Sequence, residues 1–142
     1  MWWVTIVDAT LVRQHLDAYD TVIAGQTPAE RQLTEQTLAG LRFVRNQTGD
    51  EADLAEFIEP ADSGPDSGDG HITGWTWKPV PEPELTSPVL RGQAWEMTRY
   101  QAYQAQLAGR TIEETFARTT AFLKLAIADA PALTGASMHA AR

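Results

Sequence analysis

Proline placement constrains this chain more than any other feature. The eight prolines are Pro28, Pro60, Pro65, Pro79, Pro81, Pro83, Pro88 and Pro131. A proline fits the first turn of a helix and breaks one elsewhere. Long helices are therefore confined to two stretches, one before Pro60 and one between Pro88 and Pro131. The segment between them holds five prolines if Pro60 is counted and Pro88 is not.

In the first stretch, residues 2–7 are apolar and β-branched, and read as an edge strand or an extended lead-in. Asp8 or Thr10 then caps a helix that runs to about Ala24. At 100° per residue, Leu11, Val12, His15, Leu16, Tyr19, Val22 and Ile23 share a sector. Gly25 is expected to end this helix in the left-handed conformation common there. Thr27-Pro28-Ala29-Glu30 is the clearest start signal: a capping threonine, a proline at the first helical position and a glutamate three residues after the cap. That helix is expected to reach Gln47, with Leu33, Thr37, Leu38, Leu41 and Val44 as its apolar stripe. Phe43 falls outside the stripe and requires a second contact. The short turn between the helices predicts antiparallel neighbours.

A short helix is expected over 50–58, burying Leu54, Phe57 and Ile58, with Pro60 stopping it. The connector 59–87 follows. Residues 61–70 suit no regular element, 71–78 can be extended, and the later prolines favour polyproline geometry. Helix resumes at 88, with Met97, Tyr100, Tyr103 and Leu107 on one face, and stops at Gly109. Thr111 to Glu114 repeats the capping pattern. The last helix carries Ile112, Phe116, Thr119, Leu123, Ala126 and Ile127 and ends before Pro131.

The expected fold is thus mainly α. Two antiparallel hairpins, 8–48 and 88–130, resemble a four-helix bundle, joined by a long acidic Pro/Gly-rich connector with one short helix. Residues 1–130 form a single helical domain, and 131–142 a flexible tail.

Charge is distributed unevenly. The chain has 19 acidic and 11 basic side chains, a net −8. Residues 50–84 alone hold ten acids against Lys78, while 85–142 are net +2. An acidic total argues against nucleic acid, whose binding is dominated by phosphate contacts. The mildly basic C-terminal hairpin can approach an acidic partner. There is no cysteine, which excludes disulfides, thiolate metal sites and cysteine nucleophiles. No apolar run nears the roughly 20 residues of a membrane span, so no membrane partner is expected. The N-terminus lacks the pattern of a secretory signal, which points to the cytoplasm. Nine arginines to two lysines, with abundant alanine, fit a GC-rich bacterial genome.

No catalytic pattern stands out: no phosphate loop, no nucleophile elbow, no dinucleotide fingerprint. Asp62, Asp66, Asp69 and His71 have a calcium-like composition but not the EF-hand spacing, so they read as a solvated linker. No metal or cofactor is expected. His15, on an apolar face, reads as a core histidine. Paired with a carboxylate, it is instead the centre of a ligand pocket or enzyme site between the hairpins.

Binding features are more pointed. Trp75 and Trp77, two apart in an extended segment, share a face and are followed by Pro79 and Pro81. They read either as a clasp that folds onto the helices or as an anchor for a partner. Trp95 and Arg99, with Arg118 and Phe122 of the last helix, form one patch if their faces adjoin. That patch is either covered by the first hairpin or free for self-association or a partner. The leading expectation is an accessory, adaptor or regulatory protein that binds another protein, homo-oligomers included. The alternatives are the His15 pocket and an acidic protein, of mobile-element type, that occupies a basic or nucleic-acid-binding surface.

Overall fold

A computed structural model of the chain describes residues 2–48, 51–61, 74–83 and 90–129. The described chain is mainly helical, with five α-helices and one small sheet. The helices are α1 (Trp2–Gln14), α2 (Leu16–Gly25), α3 (Pro28–Gln47), α4 (Leu90–Gln106) and α5 (Ile112–Asp129). A 3-10 helix, Glu51–Glu56, leads into β1 (Ile58–Pro60), which pairs antiparallel with β2 (Trp75–Trp77). None of the described helices is long and apolar enough to cross a membrane.

The N-terminal region departs from expectation. Residues 2–7 are helical, not extended, and belong to α1. The helix expected from 8 to 24 is broken at His15, whose backbone sits at φ −138°, ψ 44°. The break resets the helical phase. The stripe computed for one continuous helix therefore scatters: Leu11 is buried, but Val12 and Leu16 are exposed. Val4, Thr5, Asp8 and Leu11 form the buried side of α1, and Ala18 that of α2. Starting the helix early is what brings Val4 and Asp8 into the core. Gly25 is the last residue of α2, and the chain leaves through an extended Gln26 rather than a left-handed glycine.

The start of α3 agrees with the sequence in detail. The Thr27 hydroxyl accepts from the Glu30 N–H at 3.3 Å, and the Glu30 carboxylate accepts from the Thr27 N–H at 2.9 Å. Thr37, Leu38, Leu41 and Val44 are buried as the stripe requires. Phe43 is buried too. Phe57, Tyr100 and Tyr103 meet its ring at centroid distances of 5.6–6.1 Å.

The short helix expected over 50–58 is a 3-10 turn followed by strand. Pro60 ends no helix there; it is the last residue of β1 and faces Trp75 across the pair. A proline at the end of a short edge strand costs little pairing. The strand pair is pinned to the turn between α4 and α5. The Trp77 N–H donates to the Arg110 carbonyl at 3.0 Å, and the Gly109 N–H to the Trp77 carbonyl at 2.8 Å. Gly109 takes φ 76°, where a side chain is strained.

Close packing runs between the two expected hairpins rather than within them. The most extensive pairing is α3 on α4, followed by α2 on α5. Gly40 shows how tight the first of these is. A Cβ there would lie 2.7 Å from the Leu107 side chain and 3.1 Å from the Tyr103 Cα. Residues 62–73, 84–89 and 130–142, which include the centre of the connector and the expected tail, lie outside the described residues.

Candidate functional site

Three helices meet around a surface groove of about 260 Å3. Thr5, Ala9, Val12 and Arg13 line it from α1, Arg42, Arg45 and Asn46 from α3, and Arg99 from α4. Four arginines therefore line one groove in a chain of net charge −8.

Two of these arginines are held by carboxylates. Asp8, in the middle of α1, is 1% exposed at its side chain. It accepts from Arg42 Nε at 2.8 Å and from Arg42 Nη2. The Tyr19 hydroxyl donates to its other oxygen at 3.2 Å. A buried carboxylate is tolerated only when it is paired in this way. The Asp8–Arg42 pair ties α1 to α3, and Arg42 lines the groove. Burial, and then the Asp8 charge, raise the pKa of the Tyr19 phenol well above its ordinary value. At neutral pH that hydroxyl is a permanent donor to Asp8.

Glu96 organises the other wall. Gln47 Nε2 donates to it at 2.9 Å and Asn46 Nδ2 at 3.2 Å, while Arg99 Nη1 lies 3.6 Å away. The end of α3 is thus joined to α4, and Arg99 is placed beside the cavity. The Arg13 and Arg45 side chains are exposed and make no hydrogen bond or ion pair among the described residues. Two of the lining arginines, on separate helices, thus have no charge partner among the described residues.

The residues singled out from the sequence fall in several places. Trp77 is fully buried. Its Nε1 donates to Thr115 Oγ1 at 3.0 Å, and its ring meets Tyr103 edge-on at 6.3 Å. It acts as a clasp. The chain beyond it is strapped along α4: the Tyr103 hydroxyl donates to the Lys78 carbonyl, and the Tyr100 hydroxyl to the Val80 carbonyl at 3.3 Å. Burial, and then the charge of Glu59, raise the Tyr103 pKa well above its ordinary value. Trp75 is 44% exposed, and Pro79 and Pro81 are exposed. Trp95 is 67% exposed, the most exposed large apolar side chain among the described residues. It stands one helical turn before Arg99, on the same side of α4.

Arg99 and the α5 residues do not share a cavity. Arg118 and Phe122 line a second one of about 330 Å3, with Gly25, Leu33 and Leu125. Phe122 itself is buried, its ring 5.1 Å from that of Tyr19. The first half of the chain covers it, so α5 is buried on two sides. His15 lines neither cavity. It sits at the break between α1 and α2, with its Nε2 buried and without a hydrogen-bond partner among the described residues. Asp62, Asp66, Asp69 and His71 lie outside the described residues, among which no cluster of three or more metal-ligating side chains is found.

Sequence reasoning missed Asp8, Arg13, Arg42 and Arg45 as a group. The sequence marks Asp8 only as a candidate helix cap. The signal that remains in hindsight is Arg42 and Arg45, three apart on α3 and so on one face. Nothing in the sequence indicates which acid they meet, since Asp8 is 34 residues from Arg42.

Comparison with protein-family models, curated proteins and solved structures yields no match.

Proposed function

We propose that this protein works by binding another protein, as an accessory or regulatory component, and that the contact is centred on the α4 surface carrying Trp95 and Arg99. The carrying observation is Trp95: a large indole, 67% exposed, one turn from an arginine that opens into a groove. Tryptophan and arginine are the residues most enriched among those that dominate interface energy. An indole left in water costs free energy that a partner can recover: at about 25 cal/mol per Å2, covering it contributes roughly 2–4 kcal/mol. Trp77, by contrast, serves the fold, and Trp75 lies beside it on the clasp.

The experiment is capture of the partner from the native host on immobilised protein, followed by mass spectrometry. Trp95→Ala is expected to reduce recovery of the specific partner at least about tenfold, with circular dichroism unchanged. Trp75→Ala serves as the control and is expected to retain the partner. Recovery that survives Trp95→Ala overturns the proposal. A second copy of this chain as the captured species makes the contact a homo-oligomer, which light scattering measures directly.

A further inference from the structure

We propose that the arginine groove between α1, α3 and α4 is a binding site for a short acidic peptide segment of the partner. The inference rests on the protein-binding reading above and names the chemistry that the partner must present.

Charge complementarity carries it. Arg13, Arg42, Arg45 and Arg99 line the groove, and among the described residues only Asp8 and Glu96 pair with them. Asp8 is buried beneath Arg42, so it presents no carboxylate to an incoming group. Arg13 and Arg45 reach the groove from α1 and α3 without a partner among the described residues. A guanidinium offers a planar fork of donors that fits a carboxylate in bidentate fashion. Two forks on different helices suit two carboxylates held a few residues apart, as a peptide holds them.

The rest of the molecule selects against longer polyanions. By composition the rest of the chain carries seven basic side chains against seventeen acids. That overall surplus of negative charge disfavours a long polyanion, whereas a short segment confined to the groove meets mainly its arginines. The dimensions agree. A groove of about 260 Å3 holds a few side chains, not a large cofactor, and such sites normally run from about 300 Å3 upward. Its lining also includes Ala9 and Val12, and Trp95 lies one turn from Arg99. The fitting peptide therefore carries an apolar side chain among its acids. The Debye length is about 8 Å in physiological salt, so the overall charge of −8 is screened at a distance while contacts inside the groove are not.

The test uses a fluorescein-labelled peptide of about ten residues, glutamate-rich with interspersed leucine, which spans roughly 35 Å when extended. Binding to the full chain is followed by fluorescence anisotropy across a range of salt. The native protein is expected to bind. The double variant Arg13→Gln/Arg45→Gln is expected to bind at least about tenfold more weakly, with the gap narrowing as salt rises. Both side chains are exposed and unpaired among the described residues, so circular dichroism of the variant should match the native protein. An oligothymidylate of equal charge should compete poorly. Equal binding by the double variant overturns the proposal, as does an oligothymidylate that competes as well as the unlabelled peptide. If the peptide does not bind but Trp95→Ala still releases the captured partner, the groove assignment fails and the protein-binding reading stands.

Discussion

Asp8 is the side chain on which the site depends most. Its carboxylate is buried, it meets two donors of Arg42 and it receives the Tyr19 hydroxyl. The partner that would be left behind is not buried to the same degree: Arg42 is 35% exposed and can turn to water. Asp8→Ala should therefore cost about 3 kcal/mol, near the lower end for a broken buried pair, as read from urea denaturation. Arg42→Ala should cost more, because it strands the carboxylate instead of the guanidinium. Equal losses would contradict this account. Asp8 was legible in the sequence only as a polar residue near a helix start. Its partner is set by how α1 lies on α3.

At the level of the element, α3 is the helix whose sequence and structure agree most closely. Thr27, Pro28 and Glu30 act on neighbouring backbone alone, so no tertiary information is needed to read them. Thr27→Ala should destabilise the protein by about 1 kcal/mol in thermal or urea denaturation. Hydrogen bonds from the Thr27 side chain and backbone hold the Glu30 carboxyl below its ordinary value of 4.5. A depressed acid stabilises the fold fully above that ordinary value. The benefit is lost as pH falls through the depressed one. The stability gap between the native protein and Thr27→Ala should accordingly shrink on acidification below pH 4.5, and a gap that stays constant would count against the reciprocal bond. α1 and α2 show the opposite case. Their apolar residues fit one continuous stripe well enough, yet the chain breaks at His15 and begins its helix at Trp2. Periodicity measures which residues share a face within an unbroken helix. It carries no information on where tertiary contacts favour a break.

For the whole molecule, the decisive contact is α3 on α4. Gly40 permits it: its missing side chain lets the Tyr103 backbone approach. In an isolated helix Gly→Ala is favourable by about 1 kcal/mol. Here the added methyl meets backbone that cannot move cheaply, so Gly40→Ala should be net destabilising by about 1–3 kcal/mol, as read from urea denaturation. A stabilised Gly40→Ala protein would show that the helices can separate without loss. A glycine inside a helical pattern hints at such an approach, but the partner helix stays hidden.

Short-range chemistry is what the amino-acid order determines by itself: the mainly helical class, the capping of α3, the turn at Gly109, the extended run around Trp75–Trp77 and the second contact that Phe43 requires. Each of these depends on neighbours within a few residues or on simple burial. The tertiary structure alone decided which helices touch, which of Trp75, Trp77 and Trp95 remain in solvent, and that arginines from three helices share one groove. Those outcomes depend on pairings dozens of residues apart, such as Asp8 with Arg42 and Gln47 with Glu96. At that separation no spacing along the chain selects one acid from nineteen. The selection is made by helix packing, which responds to the shape of whole faces rather than to the order of residues along them.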